Sequence, residues 1–297
     1  LGQVFLSTDI ISRTEVVIKV ESPDSDAILE CEIIIHAMLD GGVGIPHVLW
    51  FGEEDNYNVM VMDLLGPSLK DLFNQCGQKF SLKTVLLLGI QLIDRLEFIH
   101  SQYLVHHDVK QDNFLVGMGK HAHVLYAIDF GLSSVYWNSQ TYKHKVYSVE
   151  KQLLRTVHYA SINAHQSITQ SCRDDIESLE YTLVYFLCGS LPWQGLQDDS
   201  TQILQCKMDT FIDDLCDMLP VELSLLLSHA CTLGFKEEPD YSYLHDLFYS
   251  LFNRERFRDD EVFDWSVKGG HDEMSVLQVR IARWSGLSGT QSASSMV

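Results

Sequence analysis

A chain of 297 residues, 46% apolar and 10% aromatic, has material for one large domain or two lobes around a substantial core and does not have the composition of a disordered protein. Its 41 acidic residues against 21 basic ones give a net charge of −20, which leaves no basic face for phosphates, so a nucleic-acid partner is not expected. The seven cysteines are odd in number and form no CxxC pair, which fits reduced thiols in a cytoplasmic or nuclear protein.

In chain order, GQVFLSTDI (2–10) and TEVVIKV (14–20) have β-branched strand character, with a turn at Ser12-Arg13. SPDSDAILECEIIIHAML (22–39) predicts a helix with Asp26 as its N-cap. HVLWFGEED and YNVMVMDLL predict two more strands around a Glu-Asp-Asn turn, so the first part reads β-β-α-β-β. After GPS (66–68) the periodicity turns helical in LKDLFNQC and LKTVLLLGIQLIDRLEFIHSQ. The apolar run in the second of these is broken by Gly89 and Gln91 and reads as a buried helix. Short strands follow near 104–106, 114–116 and 124–128, and the chain is mainly helical from 173 to 265. Past Lys268, VLQVRIARW (276–284) has the pattern of a short strand or helix, and the Gly/Ser-rich end is expected to be disordered. No apolar run reaches the roughly 18 residues of a membrane span, no signal peptide is visible, and the tail lacks a cysteine for a lipid anchor.

Four pieces then carry chemistry in a fixed order. VVIK ends in Lys19, a helix glutamate follows (Glu30 or Glu32), HHDVKQDN holds Asp108, Lys110 and Asn113, and IDFG holds Asp129, Phe130 and Gly131. Each alone is weak; together, in this order, they match the parts of a phosphoryl-transfer site. Such transfer is mostly positioning and charge neutralisation. A lysine held by a carboxylate grips the α/β-phosphates, Asn113 and Asp129 offer hard oxygen ligands to Mg²⁺, Asp108 orients the attacking hydroxyl, and Lys110 reaches the γ-phosphate. KHAH (120–123) reads as a solvated turn before IDFG.

The chain resembles the casein kinase I family of protein kinases. The segments that carry the resemblance include GGVGIP (41–46), YNVMVMDLLGPSLKDLF (57–73), DNFLVGMGK (112–120), YASINAH (159–165), RDDIESL (173–179), GSLPWQGL (189–196), PDYSYL (239–244) and VFDW (262–265). YASIN stands where other protein kinases carry APE. The resemblance implies an α+β, bilobal protein kinase fold: a small β-rich N-lobe over 1–65, a larger helical C-lobe over 66–268, and a partly disordered tail over 269–297. It implies ATP and Mg²⁺ as cofactors and serine/threonine hydroxyls of proteins as substrates of a monomeric enzyme. It makes Glu32 the partner of Lys19 and Met62 the gatekeeper. Asp63, Leu64 and Leu65 become the adenine-binding hinge, and Gly2, Val4, Val17, Leu115 and Ile128 further walls of the nucleotide site. Asp175 matches the aspartate that supports the catalytic loop, a role compatible with a helix N-terminus.

Departures from the family pattern are specific. Gly2 aligns with the third glycine of a GxGxxGxV loop and Val4 with its valine, so the start is expected to be truncated within that loop. Basic residues of the family are replaced at His107, Ser134, Val135, His158 and His245, and the basic stretch after WQGL reads QDDSTQIL (197–204). Lys151 and Arg173 remain, and Arg155 is new. A histidine near pKa 6.5 is a poor substitute for a guanidinium at neutral pH. Gln111 replaces a proline, and Glu180 a glycine, in a helix where a buried carboxylate needs a partner or water. The reading is an active kinase with weakened recognition of acidic or already phosphorylated substrates; the alternative is a pseudokinase scaffold. A small-molecule phosphotransferase is argued against by Lys110, LLGPSL and YASIN.

Overall fold

Alternating side chains set the first sheet. In β2 (Glu15–Glu21) Val16 and Ile18 share one face of the sheet and are buried, while Val17 and Lys19 take the other, as period-two alternation requires. The computed structural model describes residues 2–22, 28–149, 156–196, 199–268 and 282–283. β2 pairs antiparallel with β1 (Gln3–Thr8) on one side and β4 (Tyr57–Asp63) on the other, and β4 pairs with β3 (Val48–Glu54). The β3–β4 turn is the expected one: Asp55 and Asn56 both take positive φ, at 48° and 65°, the two-residue hairpin geometry that Asp and Asn tolerate best. α1 (Ile28–Leu39) lies on this sheet, where Leu29 packs with Met60 and Met62. Asp26, the expected N-cap, falls outside the described residues.

The chain then becomes helical. α2 (Leu69–Gln75) opens with a capping box of Ser68 and Asp71, and Ser81 caps α3 (Leu82–Ser101). Leu86, Leu92 and Leu96 of α3 are fully buried. Gly89 interrupts the apolar run because a Cβ there would stand 2.1 Å from Cε1 of Phe248 on the facing helix. Gln91 interrupts it to bond the backbone of His123 and Leu125.

Three short pairs follow: β5 (Leu104–Val105) with a later strand β8 (Ser134–Val135), β6 (Phe114–Val116) with β7 (Leu125–Ala127), and β9 (Trp137–Asn138) with β10 (Lys143–His144). KHAH closes the β6–β7 connection with Lys120 and His121 exposed.

The remaining helices are α4 (Ile162–His165), α5 (Cys172–Cys188), α6 (Ser200–Asp209), α7 (Ile212–Leu215), α8 (Val221–Thr232), α9 (Tyr241–Arg254) and α10 (Asp264–Lys268). α5 is buried on nearly every side and forms the axis against which α3 and α8 pack. The result is α+β: a small sheet-and-helix portion joined to a larger helical one. Within the tail, Ala282–Arg283 form a two-residue strand, β11, parallel to β1 beside Phe5 and Leu6. The rest of 269–297, including the end expected to be disordered, lies outside the described residues.

Glu180 corrects one expectation. On the inner face of α5 its exposure is 0%, so it does not reach water. Its Oε2 has no hydrogen-bond partner among the described residues, and Oε1 meets only the Cys216 thiol at 4.0 Å. Burial pushes its carboxyl well above the ordinary value, which favours the neutral acid over the carboxylate in the folded chain. The unfolded chain ionises it at its ordinary value near 4.5, so this group weakens folding as pH rises above that point. Glu180→Gln, with the same shape and no proton to lose, is therefore expected to unfold at higher urea than wild type at pH 7, by at least about 1 kcal/mol. The gap should close below about pH 4.5; urea titrations at both pH values check it.

Candidate active site

The strand-to-helix transitions of the two portions leave a cavity of about 420 Å³ between them. Gly2 and Val4 of the β1 side and Val17 of β2 form its roof, and Leu115 of β6 and Ile128 its floor. Met62, Asp63, Leu64 and Leu65 run along one wall as β4 leads into the next segment. Lys19, Glu32, Asn113 and Asp129 stand at the polar end. Glu21, Ile28, Leu29, Asp71 and Asp112 also line it and were not singled out from the sequence.

Helix phase decides between the two candidate glutamates. Glu32 is on the buried face of α1 and pairs with Lys19. Glu30 is exposed and takes a hydrogen bond from Asn58 at 3.4 Å. Lys19 Nζ also lies 3.4 Å from Asp129 Oδ1. Burial works against the charge on Lys19, but Glu32 and Asp129 outweigh it and raise its pKa, so the lysine is held as a cation. Burial also works against ionised Asp129, yet Lys19, His106 and Lys110 together bring its carboxyl below the ordinary value. Asp129 sits at φ 62°, the left-handed conformation that lets the backbone turn sharply into Phe130.

Asp108 and Lys110 lie beside the cavity rather than in its lining. Lys110 Nζ donates to Asp108 Oδ2 at 2.6 Å and to Thr156 Oγ1 at 2.8 Å. Asn113 Nδ2 donates to the Asp108 backbone carbonyl and carboxylate at 2.9 and 3.0 Å. Asn113 thus turns its amide nitrogen to the loop, and its oxygen is the end left for a cation. Thr156 carried no sequence signal, because its contact spans 46 residues.

The loop backbone is fixed from beneath. Asp175, on the first turn of α5, accepts from the N–H groups of His106 and His107 at 2.7 and 2.9 Å. It also pairs with His100 Nε2 at 2.9 Å, and Tyr241 holds the other ring nitrogen of His100. Burial opposes charge on His100, but Cys172 and Asp175 overcome it and raise its pKa to about 10. His106 is fully buried, stacked on Phe114, with Nε2 3.2 Å from the Ile128 carbonyl.

The positions that lost basic residues are occupied by neutral or committed groups. His107 Nε2 lies 2.7 Å from Ser134 Oγ, which also accepts from Lys145 Nζ at 3.2 Å. Burial, helped by Lys145 and opposed by Asp175, lowers the His107 ring to about 4, so it is uncharged at neutral pH. Two of the replaced positions, His107 and Ser134, therefore bond to each other. His245 pairs with Asp94 at 3.2 Å and Glu97 at 3.6 Å, on the face between α9 and α3. Arg173 Nη1 donates to the Leu233 carbonyl at 2.8 Å. Gln111 is buried, and its Oε1 has no hydrogen-bond partner among the described residues. Lys151 and Arg155 fall outside the described residues.

Residues 1–232 match the family described as the protein kinase domain. The chain belongs to that family, whose reaction is phosphoryl transfer to proteins from ATP, typically with Mg²⁺. The β-rich first portion and helical second portion are the two lobes of the bilobal kinase fold.

The His100–Asp175 pair gives a pH test of the loop's anchor. A histidine raised from about 6.5 to about 10 contributes fully below pH 6.5, and that contribution fades as pH climbs to about 10. The urea midpoint of wild type should fall across this window, whereas that of His100→Gln starts lower and stays flatter. Parallel slopes for the two proteins would remove His100 from the account.

Proposed function

We propose that the chain is an Mg·ATP-dependent serine/threonine protein kinase of casein kinase I type, with weakened reading of acidic or already phosphorylated substrates. The observation that carries this is the convergence of Lys19–Glu32, Asn113 and Asp129 at one end of a single cavity, with Asp108 and Lys110 bonded to one another beside it.

The roles follow from the chemistry of each group. Lys19, kept cationic by Glu32, takes the α/β-phosphates. Gly2, Val4, Val17, Met62, Leu115 and Ile128 enclose the base and ribose, with Asp63, Leu64 and Leu65 supplying backbone groups to the adenine edge. Asp129 and the Asn113 oxygen hold Mg²⁺, which when bound neutralises charge on the phosphate oxygens. Asp108 accepts the hydrogen bond of a substrate hydroxyl and aims its oxygen. Lys110, already on Asp108, is a cation within reach of the transferred phosphoryl, and Thr156 fixes its direction.

Charge sets substrate choice in this reading. His107 is neutral, Ser134 bonds to it, and His245 and Arg173 are committed to internal partners. None of these offers a fixed cation to a phosphate or carboxylate on a substrate, while the chain as a whole carries −20. Neutral and basic serine peptides are then favoured over acidic ones. The reduced cysteines support a cytoplasmic or nuclear site of action, and no described helix is long and apolar enough to cross a membrane.

A second reading, an inactive scaffold, is favoured by the orphan polar atoms of Gln111 and Glu180, both of them departures from the family pattern. Phosphate transfer onto acidic, neutral and basic serine peptides separates the two. We expect transfer to neutral and basic peptides, falling by at least about a hundredfold in Asp129→Ala. Preference for phosphorylated acidic peptides would overturn the specificity, and absence of transfer from folded protein would leave the scaffold.

A further inference from the structure

Asp94 and Glu97 stand three residues apart on one face of α3, and His245 reaches both from α9. His245 Nε2 lies 3.2 Å from Asp94 Oδ1 and 3.6 Å from Glu97 Oε2. The three atoms all lie within 4.8 Å of one another. None of the three residues lines the nucleotide cavity.

Histidine serves two carboxylates badly as a hydrogen-bond donor. A guanidinium at this position, as the family pattern has it, would answer both with several N–H groups. The His245 ring offers Nε2 alone, because Nδ1 is buried and has no hydrogen-bond partner among the described residues. One proton at 3.2 Å makes a long bond to Asp94, and 3.6 Å to Glu97 is no hydrogen bond. As a lone pair, Nε2 completes a donor set of one imidazole and two carboxylates, which zinc accepts. Tetrahedral ligands at zinc bond lengths of about 2.0–2.2 Å stand about 3.3–3.6 Å from each other. Both separations from Nε2 are close to the edges of one such tetrahedron. Asp94 and Glu97 are 43% and 50% exposed, so a fourth position opens to water. Arg95 approaches the other carboxylate oxygen of Asp94, at 3.8 Å, and the Tyr249 ring stacks on His245 with centroids 6.1 Å apart.

We propose that Asp94, Glu97 and His245 form a zinc-type divalent cation site that staples α3 to α9. The ion replaces the fixed cation that arginine would have supplied. The hydrogen bond to Asp94 raises the ring above its ordinary value, so the ion displaces a proton as it binds. Mg²⁺, a harder ion that prefers oxygen ligands throughout, competes poorly for a site with an imidazole. His100 lies three residues beyond Glu97 on α3, Tyr241 lies four before His245 on α9, and these two bond to each other beneath the catalytic loop. The staple therefore braces the pair of helices that holds the partner of Asp175. It depends on neither nucleotide binding nor phosphate transfer.

Zinc chloride titrated into the whole, metal-stripped chain against a chromophoric chelator at neutral pH tests the site. Wild type should bind one Zn²⁺ with a dissociation constant of about 10 µM or tighter, in millimolar Mg²⁺. His245→Arg, which removes the ligand and keeps an ion pair with both carboxylates, should bind at least about tenfold more weakly. Glu97→Gln, at a half-exposed position, should weaken binding likewise and serves if the first variant does not fold. Asp129→Asn should leave the zinc affinity unchanged. Zinc should also raise the unfolding temperature of wild type and leave that of His245→Arg where it was. Equal zinc affinity in wild type and the folded variants at 245 or 97 overturns the proposal, because the ion would then sit on thiols or elsewhere. Loss of affinity in Asp129→Asn does so too, by placing the ion in the nucleotide cavity, and so does wild-type binding weaker than about 100 µM. Zinc binding lost with His245 in a protein that transfers no phosphate leaves this proposal standing and removes the kinase reading.

Discussion

One buried carboxylate organises the catalytic centre. Asp175 receives two backbone N–H groups from the loop and a histidine from α3, all within 2.9 Å. A loop that takes His107 through positive φ cannot satisfy those amides by regular pairing. The aspartate supplies the acceptors, and the surrounding helices exclude competing water. Its charge is tolerable because three donors converge on it, which offsets the desolvation that would otherwise neutralise it. With the backbone held, Asp108 and Asn113 meet each other and Lys110 meets both Asp108 and Thr156. The Lys19–Glu32 pair is built separately, by the small lobe, and Asp129 is the group at which the two halves join.

In the proposed function, this division separates substrate reading from the groups assigned to transfer. The groups around the nucleotide cavity are tied to one another by charge-assisted bonds. The replaced basic positions lie outside that network. His107 shows the separation within one residue: its backbone N–H serves Asp175, while its ring, neutral and bonded to Ser134, faces the strand after the metal-ligand candidate. Arginine in its place would have been a fixed cation there. A neutral ring preserves the backbone anchor and withdraws the charge.

Much of the fold was legible because its signals are local. The Asp55–Asn56 turn, the change to helical periodicity after GPS (66–68), and the order of the chemical motifs depend on a few neighbouring residues. What was not legible depends on contacts distant in sequence. Periodicity could not choose Glu32 over Glu30, since both lie in one apolar run; the resemblance named Glu32, and the phase of α1 against β2 puts it on Lys19. Thr156 and Tyr241 reach the site's framework only through the tertiary fold. Glu180 was expected to find water or a partner, but the close packing of α5 leaves it only the Cys216 thiol on Oε1 and nothing on Oε2 among the described residues. His245 read as a lost cation of the substrate face; the packing of α9 on α3 commits it to Asp94 and Glu97 instead.

The central claim is that Lys19, Asn113 and Asp129 form one metal–nucleotide site. Calorimetric titration of ATP with and without Mg²⁺, on wild type and Asp129→Asn, tests it most directly. The account predicts that Mg²⁺ tightens ATP binding to wild type by about tenfold or more and that this gain disappears in Asp129→Asn, which retains metal-independent binding through Lys19. Equal affinity with and without Mg²⁺ in wild type, or a metal gain that survives in Asp129→Asn, would contradict it.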